Sequence, residues 1–186
     1  MLFRSTTKSL FEETFLNVQK TFQEYYEILF RGGQAKLVLV DETNPLESGI
    51  DIVVRPPGKK LQHISLLSGG EKALTAIALL FALFKIKPSP FCVLDEVDEP
   101  LDEANIDRFL HVLKTFLNVT QFIIVTHNRK TISMGNSLYG VTMEEPGISK
   151  LVSVKVEQDN NSNLSREDTM AGNTEASESL EKPVNL

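Results

Sequence analysis

The sequence predicts an α/β fold with antiparallel strands at its front and back, and three observations carry that prediction. Two short apolar runs, at residues 91–94 and 121–126, have the character of strands covered on both faces. Helix-like segments alternate with them, as in a layered sheet-and-helix domain. Two strand-like segments within residues 36–55 and a closing pair within 137–156 stand on either side, bounded by turn residues.

The elements follow in order. From Phe11 the apolar residues Phe11, Phe15, Val18, Phe22, Tyr25 and Leu29 recur at spacings of 4, 3, 4, 3 and 4, a helix with one apolar seam. That seam suits a coiled coil or a helix laid on a sheet. Gly32-Gly33 stops it. Residues 36–40 and 50–55 read as strands separated by Asn44-Pro45 and Ser48-Gly49, and Pro56-Pro57-Gly58 reads as a loop. A helix opens at Gly69 or Gly70 and runs to Lys85; being apolar nearly all round, it is expected to be buried. Pro88 and Pro90 end it. A second helix is expected over residues 101–117, with Ile106, Phe109, Leu110, Leu113 and Phe116/Leu117 facing inward. The closing pair, 137–142 and 149–156, is joined through Glu145-Pro146-Gly147.

Composition bounds the rest. A chain of 186 residues with 41% apolar content can bury one core. Residues 1–156 hold 17 Lys/Arg against 18 Asp/Glu, whereas residues 157–186 hold 2 against 7. The near-neutral body gives no bulk argument for nucleic acid binding, and the acidic, Ser/Asn-rich tail is expected to be disordered. One cysteine, Cys92, excludes an internal disulfide; within an apolar strand it reads as a buried small residue rather than a nucleophile. The longest apolar stretch, residues 73–84, falls short of the roughly 20 residues that span a bilayer. The opening Met1-Leu2-Phe3-Arg4 has no secretory pattern, so a cytoplasmic location and no membrane partner are expected.

Three places combine polar chemistry with a favourable position. Ser68-Gly69-Gly70 stands where a loop becomes a helix, so its backbone amides and the positive helix end could receive an anion. The competing interpretation is an ordinary capped helix, with Ser68 as N-cap and Glu71 completing a capping box. Asp95-Glu96 directly follows a buried strand, the edge at which open α/β sheets place ligand chemistry. The rest of that acidic run, Asp98, Glu99, Asp102 and Glu103, reads as solvated surface. His127 ends the other buried strand. His63, expected in a loop, and His111, on an outer helix face, receive no role. No zinc spacing and no nucleophile-elbow motif occurs. The phosphate-cradling Gly-x-x-x-x-Gly-Lys loop is also absent: Gly58 precedes Lys59, but the glycine needed five positions earlier is Val53.

Leu67-Ser68-Gly69-Gly70-Glu71-Lys72, Val93-Leu94-Asp95-Glu96-Val97-Asp98, Pro100-Leu101-Asp102-Glu103-Ala104-Asn105 and Thr126-His127-Asn128-Arg129-Lys130-Thr131 together resemble the bacterial structural-maintenance-of-chromosomes (SMC) ATPases. So do residues 55–62 and 138–143, and the resemblance covers roughly residues 5–156. It implies the C-terminal lobe of an ABC-type, P-loop NTPase-like ATPase head. Residues 1–30 would be the end of a coiled-coil arm, residues 31–156 the lobe, and residues 157–186 a tail beyond the match.

The same resemblance implies roles. Asp95 would be the Walker B carboxylate holding Mg²⁺ through water, Glu96 the general base and His127 the switch histidine. Ser68, Gly69, Gly70 and Glu71 would form the signature motif on the γ-phosphate of ATP bound by a second head, with Asp102 in the D-loop across that interface. The implied partners are the N-terminal head lobe, a second head, a kleisin subunit and DNA, at the nucleoid. A stand-alone module that binds kleisin or an intact head without turnover is the alternative; a transporter's nucleotide-binding domain ranks last. Three departures from the family pattern stand out: Glu99 where a small residue is usual, Arg31 within a glycine run, and residues 133–137, which loosen the turn after His127.

Overall fold

In the computed structural model of the chain, residues 2–155 are described, with side chains placed from residue 6 onward except at residue 144. They belong to two compact units, Met1–Ser133 and Met134–Leu186. The expected acidic tail lies outside the described residues.

Helix α1 (Leu2–Phe30) begins nine residues before the expected start, because residues 2–10 contain no glycine or proline to interrupt it. Of the expected seam, Val18, Phe22 and Leu29 are buried while Phe11, Phe15 and Tyr25 are half-buried, and Tyr26, outside the expected seam, is fully buried. The helix ends in a tight reversal in which Gly32 N–H reaches back to Glu27 C=O at 2.9 Å. Arg31 adopts a left-handed φ of 57° there, the conformation glycine takes most easily. Gly33 follows with φ 91°, and a Cβ at this position would lie 2.5 Å from the Arg55 carbonyl oxygen and 3.0 Å from the Tyr26 ring.

Strands β1 (Gln34–Leu39), β2 (Ile50–Arg55) and β3 (Gln62–His63) form an antiparallel sheet in that order, with Ala35 opposite Val54 and Val53 opposite His63. Ala35, Leu37 and Val54 are buried, and Gln23 of α1 accepts the Ala35 N–H at 2.6 Å. His63 is therefore in a strand rather than a loop. Its Nδ1 accepts the Ser65 N–H at 3.2 Å and caps the short 3-10 turn Ile64–Leu66.

Helix α2 (Gly69–Ile86) buries one face, Leu74, Thr75, Ile77, Ala78, Phe81 and Ala82, while Leu83 is exposed; the expectation of burial all round is not met. Helix α3 (Glu103–Lys114) is shorter at both ends than expected. Asp102 caps its start, accepting the Asn105 N–H at 2.7 Å, which leaves Leu101 in the preceding turn. After Lys114 the backbone tightens into i→i+3 bonds such as Phe116 N–H to Leu113 C=O at 3.0 Å. The three helices meet in an aromatic core: Phe81 of α2 stacks on Phe109 and Phe116 at 5.9 and 5.4 Å, with Tyr25 of α1 at 6.0 Å from Phe81.

Strands β4 (Phe91–Asp95) and β5 (Gln121–Val125) pair in parallel, Phe91 opposite Gln121 and Asp95 opposite Val125. One face is covered, with Leu94 buried and Phe122 edge-on to Phe84 of α2 at 6.3 Å. The other is open: Phe91, Val93, Ile123 and Val125 retain 61%, 59%, 52% and 52% of their exposure. The expectation of cover on both faces is thus overturned, because the helices packed on these strands lie on one side. A five-residue helix, α4 (Arg129–Ser133), follows β5, and residues 134–136 beyond it form an irregular turn. Asn128 starts it, its side chain accepting the Lys130 N–H at 2.9 Å. In the second unit, β6 (Ser137–Glu145) and β7 (Ile148–Lys155) form an antiparallel hairpin turning at Gly147, with Tyr139, Val141 and Leu151 exposed.

Candidate active site

Two clusters carry the candidate residues. The first lies at the carboxyl edge of β4 and β5. Parallel pairing brings Asp95 level with Val125, and Glu96 N–H extends the ladder by donating to the Val125 carbonyl at 2.9 Å. His127 follows two residues beyond Val125, so the structure brings Asp95, Glu96 and His127 to one edge. All three side chains are exposed, and none has a hydrogen-bond or ion-pair partner among the described residues. Glu96 has φ 48°, a left-handed conformation that costs a residue with a Cβ about 1–2 kcal/mol. Strain of this kind collects where a side chain must be aimed. The turn that holds it closes through Glu99 N–H to Glu96 C=O at 3.2 Å, and a second turn through Leu101 N–H to Asp98 C=O at 3.1 Å.

The second cluster is the start of α2. The capping box is formed: Ser68 Oγ donates to Glu71 Oε2 at 2.9 Å and accepts the Glu71 N–H at 3.4 Å, while Ser68 N–H donates to Glu71 Oε2 at 3.1 Å. Lys59 Nζ holds Glu71 Oε1 at 2.8 Å. That bond is the main reason the Glu71 carboxyl lies below the usual glutamate range; desolvation opposes it and the Ser68 bonds assist. Gly69 has open space around its Cα, whereas a Cβ on Gly70 would meet the Pro100 carbonyl oxygen at 2.9 Å. The Gly70 backbone therefore lies against the segment between Glu96 and Asp102. No hydrogen bond or ion pair joins the two clusters among the described residues; Pro100 is where they touch.

Asp102, exposed, uses its carboxylate as the α3 cap. The buried Tyr26 hydroxyl makes no well-formed hydrogen bond among the described residues; burial, aided by the Glu71 carboxylate, pushes its phenol well above the usual range, and the nearby Thr75 hydroxyl opposes this only in part. Cys92 is half-buried rather than buried as expected, and that partial burial pushes its thiol up, in keeping with an unreactive residue. Lys59 and Asp98 escaped the sequence reasoning. Lys59 sat in a loop whose approach to Glu71 is tertiary, and Asp98 sat in an acidic run that reads as surface yet is buried. The one sequence cue to Asp98 is the Thr-His-Asn run at 126–128, whose hydroxyl and amide invite a local turn with a carboxylate partner.

Carboxylates at the carboxyl edge of parallel strands, beside a glycine-started helix, stand where open α/β units place ligand chemistry. The chain belongs to the RecF/RecN/SMC N-terminal domain family, whose profile matches residues 4–150. It is 54% identical over 154 residues to the chromosome partition protein Smc of Myxococcus xanthus, a match spanning 83% of this chain and 13% of that protein. A solved SMC head bound to the C-winged helix domain of ScpA superposes with a TM-score of 0.75 at 39% identity, covering 81% of this chain and 46% of that one. A structure from work on ATP-driven dimerization and DNA-stimulated activation of SMC ATPases gives a TM-score of 0.71 at 38% identity, covering 80% of this chain and 89% of that one. The described fold thus matches part of an SMC head domain, of the ABC ATPase type. No helix among the described residues is long and apolar enough to cross a membrane.

Proposed function

We propose that this chain is the C-terminal lobe of an SMC-type ATPase head, with the end of a coiled-coil arm in α1, and that it hydrolyses ATP as half of a composite site in a chromosome-partitioning protein. The observation that carries this reading is the open apolar face of β4 and β5, running into Asp95 beside Glu96 and His127. Apolar parallel strands need cover on both faces. The chain also lacks a phosphate-cradling loop. An N-terminal lobe would supply both at one surface. A chain of similar extent, solved among SMC ATPases and matched over 89% of its length, supports the assignment of this span as a lobe.

On this reading Glu96 takes the proton of the attacking water, free to do so because its carboxylate is engaged by no neighbour among the described residues. His127 donates toward the γ-phosphoryl group. Ser68, Gly69 and Gly70 meet the γ-phosphate of ATP held by a second head. Ser68 then exchanges its bond to Glu71 Oε2 for a phosphate oxygen, and Lys59 keeps the freed carboxylate compensated. Asp102 stands in the segment facing that second head. Among the described residues no three His, Cys, Asp or Glu side chains gather into a metal cage. A single exposed carboxylate such as Asp95 instead fits Mg²⁺, which retains water and phosphate ligands. Bound there through water, the ion would neutralise charge developing on the phosphate oxygens.

The partners are the N-terminal lobe, a second head, a ScpA-like kleisin and DNA, in keeping with the ScpA-bound head and the DNA-stimulated SMC ATPases to which the chain is similar. The hairpin β6–β7, with apolar side chains exposed along it, is the surface suited to a winged-helix domain.

The test is ATP hydrolysis by this chain alone and mixed with the matching N-terminal lobe and arm stub. Turnover is expected only in the mixture, and Glu96→Gln should lower it by roughly a hundredfold or more while ATP still binds and two heads remain paired. Turnover by the chain alone would sink the composite reading. A stable mixed complex without turnover would leave a binding module.

A further inference from the structure

Asp98 is only 2% exposed, unlike its acidic neighbours Asp95, Glu96, Glu99, Asp102 and Glu103. It has no cationic partner among the described residues: Lys130 of α4, next to Thr131, is committed to Asp107 at 2.9 Å and to Glu103. Its carboxyl group is held instead by hydroxyls from two places. Thr126 Oγ1 donates to it, at 2.7 Å to Oδ2 and 3.0 Å to Oδ1, and Thr131 Oγ1 donates to Oδ2 at 2.5 Å. Thr126 Oγ1 in turn accepts the Asn128 N–H at 3.0 Å. These bonds bracket His127 on both sides.

A buried carboxyl group without a counter-ion is a poor device for stability, since an apolar residue of similar size would avoid the desolvation cost. What it provides is geometry. Asp98 belongs to the turn closed by Glu99 N–H on Glu96 C=O, and its own carbonyl accepts the Leu101 N–H just before Asp102. One side chain therefore ties the turn that holds Glu96 at φ 48° to the loop that presents His127 and to the first turn of α4.

We infer that Asp98 is a positioning residue for the hydrolytic step: through Thr126 and Thr131 it sets His127 against Glu96, so that neither can be displaced without the other. This rests on the ATPase reading above. A network whose members are all satisfied by one another is the kind of buried polar arrangement that fixes a single geometry. Displacements of about 1 Å at groups away from the reacting atoms are enough to cost large factors in turnover.

The test has two arms, on Asp98→Asn and on Thr131→Val, the latter close in shape and the safer variant should the former fail to fold. In the full chain, the ring resonances of its three histidines are followed by NMR. His127 is expected to shift in both variants while His63 and His111 hold still as reporters of the intact fold. In the head reconstituted with the N-terminal lobe, kcat is expected to fall roughly tenfold or more with KM for ATP within about twofold. An unmoved His127 in a folded variant would overturn the inference, and so would unchanged kcat in a wild-type-active head. A wild-type head without turnover would instead sink the ATPase reading and the catalytic consequence of Asp98 with it, whatever the resonances do.

Discussion

At Gly33 two independent constraints fall on one residue. Its φ of 91° is one that side chains with a Cβ rarely adopt, and the space a Cβ would need is occupied by the Arg55 carbonyl oxygen at 2.5 Å. Neither the backbone oxygen nor the buried Tyr26 ring can yield cheaply. Gly33→Ala is expected to destabilise the chain by more than about 2 kcal/mol, read as a lowered denaturant midpoint; a near-neutral result would mean the α1–β1 reversal can re-form. Glu71 sets a different kind of constraint, one that depends on pH. Its folded carboxyl is depressed, first by Lys59, so the stability it contributes is present above the unfolded glutamate value of about 4.3 and is lost as pH falls through the lower folded value. Glu71→Gln should therefore be less stable than the parent at neutral pH, with the gap closing in urea melts down a series toward pH ~3. A gap that persists unaltered in acid would assign the effect to the cap geometry and not to the charge.

At the scale of elements, β4 and β5 divide their residues between two fates. Leu94 faces the helical core and is buried, while Val93, one residue earlier, faces outward. Leu94→Ala should cost about 2–4 kcal/mol through the cavity it leaves. Val93→Thr keeps the branched shape on an exposed strand face and should change the lobe's own stability by less than about 1 kcal/mol. The second substitution is expected instead to weaken capture of the N-terminal lobe in a pull-down or calorimetric titration. Equal affinity for the lobe would show that the open face is not where it docks. Helix α3 gives a second lesson at this scale. Its apolar pattern extends to Leu101 and Leu117, yet the Asp102 cap and the tight turn after Lys114 trim it at both ends, keeping Leu101 and Phe116 buried while Leu117 is exposed. Burial and helical conformation are set by different residues, so periodicity overestimates length.

At the scale of the molecule, an apolar face this open on one side of a two-stranded parallel sheet marks an interaction surface. The chain spans about 13% of the Smc protein it matches at 54% identity. The arrangement joins stability to function: whatever covers Phe91, Val93, Ile123 and Val125 also closes over Asp95, and binding that favours the folded lobe stabilises it by mass action.

The alternation of the longer helices and strands, the Val18–Phe22–Leu29 part of the α1 seam, the β2 boundaries and the positions of Asp95, Glu96 and His127 were determined by the sequence alone, because apolar periodicity and the strand-end location of polar groups are local properties. So was the capping box at Ser68 and Glu71, which is written within four residues. Strand β3 and helix α4 went unread. The open face of β4–β5, the approach of Pro100 to Gly70, the Lys59–Glu71 pair and the burial of Asp98 were decided only by tertiary structure. Each depends on which segment arrives opposite a residue, and no pattern along the chain encodes that. A continuous apolar strand reports that both its faces can be covered, and only the packed chain reveals that one of them is not.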